Sequence, residues 1–410
     1  MADFETAIQS AVDAQEIPGC VLLASNSNGT FTYSKTFGHT SMDPSRAQPL
    51  QPSTVMWIAS CTKLMTSICA LQLVEQEKLS LDRPVYDLIP ELQPFNILTS
   101  FDSAGAPVLI PHKQPITLRR LLTHTSGLSY DGMHPSLLAW CASQGRAPTT
   151  GSTLLSRFSA PLVFEPGSSW MYGAGLDYAG LLVERATGLT LEDYMRDHLW
   201  APLGITDMTF NLGRRPDLKA RMADMSGRDA HTGKLSVSEE RQSYLDADGS
   251  EITDCCGGQG VFATPEEYFK VLRAVLVMHE EEKLLRKETV EELFRPQLEE
   301  MPKAVLNGML RSDDMINNAM GGAAREVDKD WGLGGLVLLG DQPDGKAAGT
   351  MIWGGLPNLI WWVDRKTGLC GLYATQVVPT GDAKCAALDR KFEAAMYEKY
   401  QQSGLGNARL

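Results

Sequence analysis

Ile58-Ala59-Ser60-Cys61-Thr62-Lys63-Leu64-Met65 is the stretch from which the rest of the chain is read. It opens a run that predicts a helix, with Leu64, Ile68, Leu71 and Val74 forming a stripe that faces a core. Ser60 and Lys63 are three residues apart, so on a helix they share one face and their side chains can meet. The first turn of such a helix also carries unpaired N–H groups and positive field. A neutral lysine there can take the serine proton, and a nearby N–H can hold an oxyanion. The same four residues are equally a helix start with a solvated lysine, so the reading depends on what else the chain brings to them.

A strand at 20–25 and its hairpin partner at 30–37 precede this helix, and a helix at 3–16 precedes both. After residue 115 the pieces become mainly helical, beginning with a helix capped by Thr117 and including helices over 174–187 and 191–200. Helices are expected again at 265–278 and 285–295, and loop over 299–328. Strands then follow at 332–339, 349–353, 358–363 and 369–376, and a last helix covers about 382–401. Helix and sheet, then helices, then helix and sheet again imply a discontinuous α/β domain, residues 1–110 and 256–410, that holds a mainly helical domain, 111–255. The cleft between them is the expected site.

The chain has 410 residues, 37 basic against 50 acidic side chains and a formal charge of −13. That balance speaks against nucleic acid and anionic membrane surfaces as partners. An acidic N-terminus without an export signal and the lack of a long apolar run predict a cytoplasmic protein with no membrane span. The eight cysteines are then expected as thiols. Histidine spacing offers no metal site, and no cofactor is called for. Gly340…Gly345-Lys346 imitates a phosphate loop but lacks the following Ser or Thr, and Pro343-Asp344-Gly345 reads as a turn. Lys366-Thr367-Gly368 reads as another turn, and His124 as a loop-holding residue.

Two downstream stretches complement Ser60 and Lys63. Tyr172 lies in a loop just before a helix, where a phenol with its pKa lowered by a neighbouring ammonium can relay protons; an aromatic plug is the alternative. Trp353-Gly354-Gly355-Leu356 ends a strand with two glycines, so backbone can approach closely and the Leu356 N–H can oppose that of Ser60 as an oxyanion donor. Trp353, Gly354, Gly355, Tyr130, Met133 and Trp361 are candidates for lining the substrate cleft.

The order of Ser60-x-x-Lys63, Leu121-Leu122-Thr123-His124-Thr125-Ser126-Gly127-Leu128, Pro166-Gly167-x-x-Trp170-x-Tyr172, Gly257-Gly258-x-Gly260-Val261 and Trp353-Gly354-Gly355 resembles the serine β-lactamase and penicillin-binding superfamily. The likeness is strongest to its class C-like esterase and transesterase branch, which includes acyltransferases of fungal secondary metabolism. It implies a β-lactamase-like fold, an antiparallel sheet flanked by helices with an inserted helical domain, and Ser60, Lys63 and Tyr172 as catalytic residues. Two departures stand out. Ala174 replaces the Asn of Tyr-x-Asn, and Trp353-Gly354-Gly355 replaces the Lys-Thr-Gly strand whose cation would grip a β-lactam carboxylate. The resemblance therefore implies an acyl-Ser60 enzyme that moves an acyl group from a thioester, on CoA or on an acyl-carrier domain of a polyketide synthase, to a hydroxyl of a small molecule. The basic run from Arg214 to Arg221 is the candidate landing patch for an acidic carrier. A hydrolase, a β-lactamase, a repurposed cyclase or lyase and a binding module that kept the fold are the alternatives.

Overall fold

Alternation of side chains along extended backbone decides how this chain stacks, because the central strands are apolar on both faces and must be covered on both. The computed structural model describes residues 4–281 and 283–405. Helix α1 (Phe4–Asp13) leads into strands β1 (Gly19–Asn26) and β2 (Thr32–Gly38), followed by helix α2 (Thr62–Glu75). Helix α3 (Gly175–Thr187) lies in the helical middle of the chain, and α4 (Pro265–Glu281) returns to the sheet. Strands β3 (Lys329–Trp331), β4 (Leu336–Leu338), β5 (Met351–Gly355), β6 (Leu359–Asp364) and β7 (Leu369–Ala374) follow, and α5 (Ala383–Gln402) closes the fold. The seven strands form one antiparallel sheet in the order β3-β4-β5-β6-β7-β1-β2.

Neighbouring Trp361 and Trp362 on β6 point to opposite faces. Trp362 packs on Phe392 of α5, with ring centroids 5.5 Å apart, and lies over Gly371, where a β-carbon would sit 2.1 Å from the indole. Trp361 points to the α4 side and has no exposed surface. It is a core residue, not part of a cleft. Among the described residues no helix is long and apolar enough to cross a membrane. All eight cysteines are free thiols.

Three expectations change. Residues 299–328 are not a loop but carry helices Glu300–Ser312 and Asp314–Ala319. Their periodicity was masked by Asn307, a polar residue on the buried face, whose amide donates to the Lys329 carbonyl and accepts from the Lys329 N–H. The strand expected at 332–339 covers only Leu336–Leu338; another, Lys329–Trp331, precedes it, and Gly332-Leu333-Gly334-Gly335 turns between them, where the Gly332 N–H donates to the Gly335 carbonyl at 2.8 Å. Finally, α2 has no solvent side: every residue from Thr62 to Leu73 is buried. A helix covered on every side is a central helix; this one packs on α3, and the turn that leads into it lies against the interior strand β5.

Candidate active site

Ser60 lies in a 3₁₀ turn, Ala59–Cys61, that runs directly into α2. Three hydrogen bonds pin it: Ile58 N–H to the Val261 carbonyl at 3.1 Å, Cys61 N–H to the Ile58 carbonyl at 3.0 Å, and the Tyr268 hydroxyl of α4 to the Cys61 carbonyl at 3.1 Å. Ala59 has φ +45°, left-handed backbone that costs a non-glycine residue about 1 kcal/mol. Such local strain at the residue before a half-buried serine is a frequent mark of a working site.

Lys63, one turn along, is 2% exposed. Its Nζ lies 3.3 Å from Ser60 Oγ, 2.6 Å from the Gly258 carbonyl and 3.3 Å from the Tyr130 hydroxyl, and 4.5 Å from the Tyr172 ring centroid. Burial pushes its pKa down to about 7, against an upward pull from the Asp177 carboxylate. A lysine so placed is an effective base near neutrality.

The Tyr172 hydroxyl donates to Ser60 Oγ at 2.5 Å. The loop expected before the helix is as read, with α3 starting at Gly175. The phenol, however, is not acidified. Burial pushes the Tyr172 pKa up, the Asp177 carboxylate adds to the rise, and the hydrogen bond to Ser60 does not reverse it. Tyr172 is a proton donor held close to Ser60 rather than a tyrosinate. Behind it stand His124 at 4.7 Å and Trp353 at 5.3 Å between ring centroids, with Trp331 against both. His124 is buried, takes φ +59°, and accepts the Gly173 N–H at its Nδ1; burial holds its pKa well below the usual histidine range. It holds the tyrosine loop, as read.

Strand β5 ends against the Ser60 turn. A β-carbon on Gly355 would lie 2.3 Å from the Ile58 carbonyl oxygen, and one on Gly354 would lie 2.3 Å from that of Leu359, so both positions require glycine. This close approach sets Leu356, the next residue, beside the Ser60 turn. Trp353 is 3% exposed and packs beneath Tyr172 more than it lines a cleft. Met133 is 59% exposed, at the end of the short turn Asp131–Met133 that follows Tyr130.

Tyr130 is inside the hydrogen-bond network rather than at its rim: its hydroxyl donates to Asp177 Oδ2 at 2.8 Å. Asp177 and the Gly258 backbone were not anticipated. Asp177 stands on α3 between Leu176 and Tyr178 with no exposed surface. One signal pointed to it, a carboxylate five residues after Tyr172 in the otherwise apolar stretch Gly175–Val183. Both decoys are turns. Lys346 is buried in ion pairs with Asp344 and Glu393, and Lys366 is exposed between β6 and β7. In the basic run, Arg215 pairs with Asp217 at 2.7 Å and Arg221 with Asp207 at 2.6 Å, which neutralises much of it.

The family model described as Beta-lactamase matches residues 4–396. The chain belongs to the β-lactamase family. It is 41% identical over 403 residues to monacolin J acid methylbutanoyltransferase of Aspergillus terreus, a match covering 97% of this chain and 96% of the relative. It is 36% identical to lovastatin esterase of Penicillium rubens, over 97% and 98% of the two chains. A mutant of simvastatin synthase from Aspergillus terreus superposes with a TM-score of 0.89 at 43% identity, covering 97% of this chain and 95% of the other. The protein is therefore a β-lactamase-fold enzyme of the acyltransferase and esterase branch, and its antiparallel sheet with flanking helices is that fold.

Proposed function

We propose that the protein transfers a short branched acyl group from a thioester to a hydroxyl of a small polyketide-derived molecule, through an ester on Ser60. The observation that carries this reading is Ser60 Oγ held within hydrogen-bond reach of both Lys63 and Tyr172. Neutral Lys63 takes the proton as Ser60 Oγ attacks the thioester carbonyl. The Ser60 and Leu356 N–H groups hold the oxyanion, a contribution of about 3 kcal/mol per donor in comparable sites. The C–S bond breaks, and the sulfur leaves with a proton handed on from Lys63 by way of the Tyr172 hydroxyl. In the second half the acceptor hydroxyl gives its proton to Lys63, attacks the Ser60 ester, and Ser60 regains its hydrogen.

The acyl group and acceptor are drawn from the relatives, methylbutanoyltransferases acting on monacolin J acid and on ML-236A carboxylate. With no Lys-Thr-Gly cation beside the nucleophile, a neutral thioester or ester suits the cleft better than a β-lactam. The donor is CoA-like or carried by a polyketide synthase carrier domain; since Asp207 and Asp217 offset Arg215 and Arg221, a small thioester is the first donor to try. A second reading, water as acceptor, has the lovastatin esterase likeness in its favour. Incubation with a 2-methylbutanoyl thioester should leave one acyl adduct in the intact mass of the wild type and none in Ser60→Ala. Identical spectra for the two proteins refute the acyl-Ser60 reading, and faster product formation with a hydroxylated acceptor than without it separates transfer from hydrolysis.

A further inference from the structure

Asp177 has no part in the reaction as written, yet it is the carboxylate around which Lys63 is arranged. Its Oδ1 accepts the Gly258 N–H at 2.9 Å and its Oδ2 the Tyr130 hydroxyl at 2.8 Å. Gly258 and Tyr130 are also the two partners of Lys63 other than Ser60. The glycine allows this convergence, because a β-carbon at Gly258 would lie 2.4 Å from Asp177 Oδ2 and 2.6 Å from the Tyr130 oxygen.

Counting hydrogens gives the arrangement a direction. As an ammonium, Lys63 donates to the Gly258 carbonyl, to Tyr130 and to Ser60. As a base it is a neutral amine with two hydrogens and one lone pair, so one of the three bonds must reverse. The carbonyl has no hydrogen to return. Tyr130 has one, but it is committed to Asp177, which as an anion only accepts. The bond to Ser60 is the one left to reverse.

We infer that Asp177 is a positioning residue that, by holding Tyr130 and Gly258, aims the Lys63 lone pair at the Ser60 hydroxyl. With the serine hydrogen pointing to Lys63, the 2.5 Å contact between Tyr172 and Ser60 is donated by the tyrosine. When the serine proton moves to Lys63, the new ammonium has Asp177 as its countercharge across the network. The remaining titratable groups around the pair stay neutral near pH 7. Cys61 on the nucleophile's turn, Cys256, Tyr130 and Tyr172 are pushed up by burial, and His124 is pushed down. Burial raises the Asp177 pKa, against the pull of Lys63, Gly258, Tyr130 and Arg157, a cation whose terminal nitrogens donate to the Gly151, Ser243 and Leu245 carbonyls rather than to Asp177.

The inference rests on the acyl-Ser60 reading, and one experiment separates the two. Formation of the acyl adduct is followed by quenched intact-mass spectrometry from pH 5 to 9, using the 2-methylbutanoyl thioester with wild type, Asp177→Asn, Tyr130→Phe and Ser60→Ala. Asp177→Asn should acylate about 100-fold more slowly at its plateau, and its acid limb should move to lower pH, because without the anion Lys63 loses its proton more readily. Tyr130→Phe should lose kcat with little change in KM and keep its acid limb, since the charge remains. A folded Asp177→Asn protein with the wild-type rate, or with a slower rate but an unmoved limb, overturns the inference. If that variant does not fold, a wild-type kcat in Tyr130→Phe overturns it. An acyl adduct on Ser60→Ala equal to that of the wild type sinks the underlying reading instead.

Discussion

If Lys63 is the base and burial is what makes it one, acylation must follow the protonation of that amine. Lowering the pH is the perturbation. With the lysine pKa pushed to about 7, roughly one amine in eleven is neutral at pH 6 and ten in eleven at pH 8. Single-turnover acylation should therefore rise about tenfold over that interval and then level off. No descending limb is expected below about pH 9, because Tyr172 is pushed up rather than down. The assay is rapid mixing with a neutral thioester, acid quench and intact mass, so the reporter itself does not titrate. Repeating the series in 1 M salt adds a second test, since a group 2% exposed is little screened whereas a surface amine would shift. A rate that is flat from pH 6 to 8, or a limb centred near the ordinary lysine value of about 10.4, refutes the reasoning.

Two further outcomes follow from the packing. Gly258→Ala drives a β-carbon to within 2.4 Å of Asp177 Oδ2, so the protein should fold but acylate about 100-fold more slowly; an unchanged rate would mean that the loop yields without consequence. Lys346→Met removes the cation buried between Asp344 and Glu393, the latter on α5 one turn from Asp389. An unpaired buried carboxylate costs about 3–5 kcal/mol, to be read from urea denaturation. Burial already raises the Glu393 pKa to about 7, above its unfolded value, so folding favours the protonated acid and the loss should be larger at pH 8 than at pH 5. A loss under about 1 kcal/mol at both pH values would mean that the ion pair does not anchor the helix.

How far the sequence carries depends on whether the determining contact is local. The strands around Trp353, Trp361 and Leu372 were legible because unbroken apolar runs and turn glycines are written into consecutive residues. Ser60 and Lys63 were legible because helical spacing brings them together. Residues 300–319 were not legible as helices, since Asn307 breaks the apolar pattern for the sake of a strand 22 residues away. Trp361 was ambiguous for the opposite reason: its pattern is plain, but which helix covers that face is decided by the rest of the fold. Tyr130 was legible only as a cleft-lining candidate and Asp177 not at all, because the hydrogen bond that joins them links residues 47 apart in the chain.

Tyr172 is the instructive case, because the sequence reading assigned it the right position and the wrong proton affinity. A phenol beside an ammonium should be acidified, and that argument is sound in water. Here the enclosure that brings the two groups together also removes solvent from both, and desolvation disfavours charge on each. Lys63 cannot be a neutral base near pH 7 and also the lasting cation that strips a proton from Tyr172. Once burial has given the first role to the lysine, the tyrosine is left as the donor. Burial pushes the Asp177 carboxyl upward as well, but Lys63 and its two donors, the Gly258 N–H and the Tyr130 hydroxyl, pull the other way and stabilise the anion, so it is the group to which the charge of the network falls.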